Sequence, residues 1–541
     1  MKRILLAGVS LAAIGLIDGA RAADYSLVTK ASAGCDPYKN YSCLDAYLGD
    51  DVASRFLNYY RLEWGHDAAP ADPKAPAGRR ADWPPTPQTT PPMPFTEWPY
   101  GGTTNLGVTR PSSVDSPLMT AIANTPLGRV MNDAHIQLYG WVDVGGNLST
   151  NSVKPGGNAP AAYSYTPNTV QLDQAVLYLE RLPDTVQSDH IDWGFRVSAI
   201  YGENYRYTTA YGLFSNQLLK SNAVNGFDMP MVYGEVFIPQ VMQGLNIRVG
   251  RFISIPDIEA QLAPNNYMYS HSMTYTFDNY TNTGVQATLA VNKNVILQFG
   301  VTVGTEAMPW HVGANIPNPF PNPVFPGTTM KKDPGAIPSF TGGIRLTSDS
   351  GNDNINIVAD GINSGTWGYN NLQWYGLTYY HKFNDQWHIS FEAYELFQRN
   401  VLNITDPLGI VANNGFPFSP QQMPFNAPGL AVCSNPTAVT CTARAFAALA
   451  YLNYKFAPLD NLSFRGEFYD DEEGQRTGVK TRYLEFGIGL QHWFSPQIEL
   501  RPEVSYYRSL DAPAFNGNSN AGIAPTKSFA LIGSMDAIIH F

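Results

Sequence analysis

The chain has 541 residues, of which only 15% are charged, against roughly 25% in ordinary soluble domains. Aromatic residues reach 13%, led by 31 Tyr, while mean hydropathy is −0.20. That balance argues against a plain cytosolic enzyme and is too polar for a bundle of membrane-spanning helices, and a net charge of −11 with no basic cluster argues against nucleic acid as a partner.

Lys2 and Arg3 precede the uncharged apolar run Ile4–Ile17, and Ala20-Arg21-Ala22 supplies small residues for cleavage. The order predicts a secretory signal peptide over 1–22. Residues 23–133 form a second region, expected in the periplasm. There Leu44, Leu48, Val52, Phe56 and Tyr60 recur every four residues, one stripe of a short amphipathic helix. Ten of the 41 prolines then fall between Pro70 and Pro99, a composition that gives an extended spacer and cannot enter a sheet interior. The four cysteines form two pairs of equal spacing, Cys35 with Cys43 and Cys433 with Cys441. In an exported chain such pairs predict two local disulfides. Neither pair has a nearby His, so no metal or other cofactor is expected.

From 134 to 541 the apolar period becomes two. Ile191, Trp193, Phe195, Val197, Ala199 and Tyr201 alternate with Asp192, Gly194, Arg196 and Ser198. Phe529, Leu531, Gly533, Met535, Ala537, Ile539 and Phe541 share one face of the last segment. Sixteen such segments begin near 134, 170, 190, 231, 244, 283, 294, 339, 353, 372, 385, 443, 460, 481, 496 and 526, each near the length of a tilted strand crossing a bilayer. The intervening stretches alternate between short and long, the habit of outer-membrane barrels rather than of sandwiches. The expected fold is therefore an all-β transmembrane antiparallel β-barrel of about 16 strands (14 to 18). An even count puts both barrel ends on the short-turn side. Trp193, Trp387, Trp493 and Phe541 fall at those ends, as an aromatic girdle would require.

Tyr139-Gly140-Trp141-Val142, Leu172-Asp173-Gln174-Ala175-Val176 and Glu180 to Gln187 resemble the putative beta-barrel porin-2 (OmpL-like) outer-membrane protein family. So do Asp192 to Arg196, Gly250 to Gln261 and Asn265 to Ser270. The resemblance covers nearly all of the chain after the signal and implies an outer-membrane barrel porin; it says little about the solute.

No nucleophile elbow follows the signal, and there is no zinc-protease signature or phosphate-binding loop, so catalysis is not expected. Strand parity instead aims charge at the lumen: Arg196, Arg248, Arg345, Arg465 and Arg501, with Glu235, Glu392, Glu467, Glu499 and Glu503. These residues either pair across neighbouring strands or line a wet pore and set ion preference. The stretch 253–283 after the fifth strand is the candidate constriction. It carries Asp257, Glu259 and Asp278, and its Tyr267 and Tyr269 offer faces for sugar rings. Folded inward, its carboxylates would face lumen arginines, by analogy with other sixteen-strand porins.

The expected function is passive diffusion of small hydrophilic solutes or ions through a charged lumen. The alternative is a surface barrel whose long extracellular loops, above all 398–442, act in adhesion or recognition. Expected partners are outer-membrane lipid and lipopolysaccharide, the solutes, and the barrel-assembly machinery through Phe541. A homotrimer is compatible with the sequence but not specified by it. The bacterial outer membrane is the expected location.

Overall fold

The computed structural model describes residues 48–63 and 116–541, apart from 186, 211, 220–222, 256, 311–314, 318–329, 333–337, 364–371, 405–429, 439, 458, 496 and 519–522. The disulfide expected between Cys35 and Cys43 lies outside the described residues, as do the signal and the Pro-rich stretch. Sixteen strands form one closed antiparallel barrel. They are β1 (Ile136–Ser149), β2 (Val170–Arg181), β3 (Asp192–Gly202), β4 (Gly226–Ile238), β5 (Leu245–Ile253), β6 (Thr281–Asn292), β7 (Val295–Thr305) and β8 (Ser339–Thr347). The second half comprises β9 (Asp353–Ile362), β10 (Gln373–Lys382), β11 (Trp387–Leu402), β12 (Thr440–Ala457), β13 (Asp460–Asp471), β14 (Thr481–Ser495), β15 (Ile498–Ser509) and β16 (Phe529–His540).

Each strand pairs with its sequence neighbours, and β16 pairs back onto β1 from Trp141–His540 to Ser149–Ile532. Closure leaves no edge, which hydrocarbon demands because every backbone N–H and C=O must be bonded within the sheet. The turns at one end are short, such as 293–294, 383–386, 458–459 and 496–497. At the other end the connections 150–169, 203–225, 254–280, 306–338 and 403–439 are long. Both barrel ends emerge on the short-turn side, where Gly140 N–H donates to Phe541 O at 2.9 Å.

The burial pattern inverts that of a soluble domain. On β15, Glu499, Arg501, Glu503 and Ser505 are buried while Val504 and Tyr506 are exposed. On β16, Ser534, Asp536 and His540 are buried while Phe529, Leu531, Met535 and Ile539 are exposed. An apolar outside and a polar inside is the arrangement lipid selects, and it explains the low charged fraction, since half of every strand is denied charge.

Three expectations need correction. Trp493 faces inward, 1% exposed and stacked on His540 with centroids 5.6 Å apart, whereas Trp193 does face outward. The strand expected near 231 begins at Gly226, because β4 carries one extra residue opposite Ser198–Ile200 of β3, and Pro230 falls in that irregularity. The N-terminal helix, α1 (Val52–Glu63), leaves Val52 exposed and buries Arg55 instead. Arg55 Nε donates to Thr120 O at 2.9 Å on the helix α2 (Pro117–Ile122). α2 is capped by Ser116, whose Oγ also donates to Leu138 O of β1 at 2.6 Å. Tyr60 donates to the His540 carbonyl, so α1 sits against the end of the barrel where both termini meet.

Candidate channel constriction

All ten charged residues selected by strand parity face the lumen, and each is between 0% and 9% exposed. Several are paired across neighbouring strands. Arg196 Nε lies 2.5 Å from Glu180 Oε2, Arg248 Nη2 lies 3.0 Å from Glu235 Oε2, and Arg501 is joined to Asp536. Arg465 binds both oxygens of Glu485 at 3.0 Å, a fork-to-fork geometry that suits a buried guanidinium. Gln491 donates to Glu499 at 2.9 Å, and Arg345 projects from β8 into the same interior.

Five of the ten, Arg465, Arg501, Glu392, Glu467 and Glu503, bond the segment 254–280. It leaves β5, crosses the barrel and returns to β6, and its described residues are buried apart from the partly buried Ala260. On one wall, Gln174 of β2 donates to Gln261 O at 2.7 Å and Tyr269 OH donates to Asp173 at 2.9 Å. On the far wall, Ile258 N–H donates to Glu392 of β11 at 2.9 Å and Met273 N–H to Glu467 of β13 at 3.0 Å. Ser270 N–H donates to Glu503 of β15 at 2.9 Å, and Arg501 donates to Ala263 O at 2.5 Å. Contacts with β2 and with β11 through β15 mean that the segment spans the lumen.

Within the segment a helical turn, Met273–Thr276, is capped by Ser272, and Glu259 accepts from Ser272 N–H at 3.0 Å. Two wall glycines admit it: a Cβ on Gly489 would stand 2.8 Å from Met268 Cγ, and one on Gly487 would stand 2.9 Å from Met268 Cε. From the long-loop side, Tyr163 of the 150–169 connection stacks on His271 with centroids 3.6 Å apart.

The carboxylates of the segment do not all meet arginine. Glu259 does, 3.4 Å from Arg465 Nη1. Asp257 and Asp278 instead converge on Glu392, with one oxygen of each within 4.8 Å of the others. Burial first, and then the neighbouring carboxylates, hold Asp257 and Asp278 well above the usual carboxylate range. At an effective dielectric near 20, each fully ionised pair at that separation costs about 3 kcal/mol. The tyrosine faces expected to be free are committed as well: Tyr267 bonds His388, and both Tyr267 and Tyr269 are 2% exposed.

Parity reading missed Glu180, Glu485 and Asp536, although each sits on the inward face of its strand and the same rule selects it. Arg476, which donates to Phe277 O at 2.7 Å and Asp278 O at 3.0 Å, lies in the β13–β14 connection and has no periodic signal. In the acidic stretch 470–474 ahead of Arg476, Asp471 is buried and accepts from Arg476 N–H at 3.0 Å. Of the two expected disulfides, the one between Cys433 and Cys441 is formed, at the base of the 403–439 connection. The other, between Cys35 and Cys43, falls on residues outside those described, so the pairing there stays an expectation from spacing alone.

The family model described as "Putative beta-barrel porin-2, OmpL-like" matches residues 135–541. The chain belongs to this family. No curated protein matches the sequence. Among solved structures, the barrel of this porin-2 family member is similar to the anion-selective porin from Comamonas acidovorans, at 8% identity and TM-score 0.44, covering 75% of this chain and 99% of that one. It is also similar to the outer membrane channel DcaP of Acinetobacter baumannii, at 9% identity and TM-score 0.40, covering 75% and 97%. A mutant porin of Rh. blastica gives 11% identity and TM-score 0.36, covering 75% and 100%. Family and closed barrel together describe an outer-membrane porin channel.

Proposed function

We propose that this porin passes small hydrophilic solutes or ions by passive diffusion through a charged lumen, and that the 254–280 segment, rather than the barrel radius, sets its conductance. The observation that supports this reading is the span of that segment from β2 to β11–β15, with bonds to wall residues on both sides. In a sixteen-strand barrel the lumen is wide enough for an aqueous channel, so an inward segment decides what remains open. The lumen charges then shape the pore in two ways. Paired groups such as Arg196 and Glu180 hold the wall rigid, and groups bonded to the segment hold the constriction in place. In this reading residues 1–22 are the export signal and 23–133 a periplasmic region whose α1 rests at the periplasmic mouth.

Liposome swelling with the purified full chain tests the assignment. Swelling in sugars and amino acids that falls with solute size is expected. Liposomes that fail to swell with any solute, while the protein still binds cells or surfaces, would replace the channel with a recognition role for the long outer loops.

A further inference from the structure

The meeting of Asp257, Asp278 and Glu392 is not explained by passive diffusion. Asp257 lies near the start of the inward segment, Asp278 near its end, and Glu392 on the facing wall of β11. All three are buried, Asp278 to 1% exposure and Glu392 to 0%. Glu392 Oε2 accepts from Ile258 N–H, but Glu392 Oε1, Asp257 Oδ1 and both carboxylate oxygens of Asp278 have no donor among the described residues. The adjacent guanidinium of Arg476 donates its Nε and Nη2 to the carbonyls of Phe277 and Asp278 rather than to these oxygens. Three other buried carboxylates are met by donors: Glu485 by Arg465, Asp536 by Arg501, and Glu467 by backbone and hydroxyl groups of the segment. Four orphaned carboxylate oxygens converging in one buried place call for a cation.

We propose that Asp257, Asp278 and Glu392 bind a hard divalent cation, Ca²⁺ foremost, that ties both ends of the inward segment to the barrel wall. An all-oxygen carboxylate set with no thiolate or imidazole suits Ca²⁺ or Mg²⁺ over zinc or copper. Ligands arriving from two points of a loop and from a strand form an irregular cage, which Ca²⁺ tolerates and Mg²⁺, with its strict octahedron, does not. The ion neutralises charges that otherwise repel one another, and it pins the segment on both sides of the crossing. This consequence for the pore rests on the constriction reading above; the binding site itself does not.

The test uses the full chain refolded in detergent and stripped with chelator. Calcium binding is followed by calorimetry and by Tb³⁺ luminescence excited through the segment's tyrosines. One site filling in the sub-millimolar to millimolar range is expected. Asp278→Asn and Glu392→Gln should weaken it about tenfold or more, while Glu472→Gln in the outer acidic tip leaves it unchanged. Thermal unfolding supplies a readout that misfolding cannot imitate. Without calcium, Asp278→Asn should melt at or above the wild-type temperature, because repulsion has been removed; with calcium, only the wild type should gain. No binding by the wild type at millimolar calcium, or equal binding by the Asp278 and Glu392 variants, would overturn the site and leave shared protons as the means of neutralisation. Binding that follows these variants, in a protein whose conductance ignores deletion of the segment, would uphold the site and remove only the constriction.

Discussion

Replacing Arg465 by Met is the sharpest perturbation of the lumen. The guanidinium is fully buried and binds Glu485 twice at 3.0 Å, Ser270 O at 2.6 Å, Ser270 Oγ at 2.8 Å and Tyr451 Oη at 3.2 Å. Glu259 at 3.4 Å and Glu503 at 3.9 Å complete its surroundings. Removing one partner of a buried pair costs about 3–5 kcal/mol, chiefly because the other charge is left unmatched. Here three carboxylates lose the same cation, so the upper half of that range is expected. Adding Glu485→Gln to Arg465→Met should recover part of the loss, since it deletes the stranded charge. The exposed Arg482–Asp511 pair is the control: Arg482→Ala should cost about 0–1 kcal/mol, because half-exposed ion pairs contribute little. Urea titration in lipid vesicles, followed by tryptophan fluorescence, measures all four proteins. An Arg465→Met variant within about 1 kcal/mol of wild type, or a double variant less stable than the single one, would refute the claim that this cation organises the constriction.

Gly489→Leu should displace Met268 and raise single-channel conductance, because the new Cβ alone would stand 2.8 Å from Met268 Cγ; unchanged conductance would show that the segment does not rest on this wall. Arg55→Ala should make α1 susceptible to proteolysis without lowering the melting temperature of the barrel, since its bond to Thr120 O tethers the helix rather than the sheet. Burial raises Glu203 and Glu306 from 4.5 to about 7, so their protonated forms are favoured in the folded state. Stability from these groups is therefore present at low pH and is lost as pH rises from about 4.5 through about 7. Melting in chelator at pH 5 should occur above that at pH 8, and the reverse order would contradict this sign.

The strands were legible because lipid enforces a period of two on every crossing segment. On β13 the exposed Phe464 sits between the buried Ser463 and Arg465, and no soluble core needs that order. Parity also selected the inward charges, since Arg196, Glu392 and Glu503 alternate with apolar residues. What parity cannot supply is the path of a segment without period. Asp257 and Asp278 looked like partners for arginine because they were carboxylates in a lumen of mixed charge. The fold of 254–280 brings them instead to Glu392, and only its backbone route decides that. The start of β4 is hidden in the sequence because Asp228 and Pro230 interrupt its pattern, an interruption that the extra β4 residue opposite Ser198–Ile200 absorbs. Arg55 was hidden for a similar reason, as its acceptor lies on α2, across the Pro-rich stretch.

Conductance of the purified full chain in planar bilayers, with and without residues 261–276, tests the central claim most directly. Their removal takes out the middle of the lumen-crossing segment and leaves the sixteen strands intact. A steep rise in single-channel conductance and weaker ion selectivity are expected. Equal conductance in the two proteins would contradict the account, since the barrel wall alone would then set the pore.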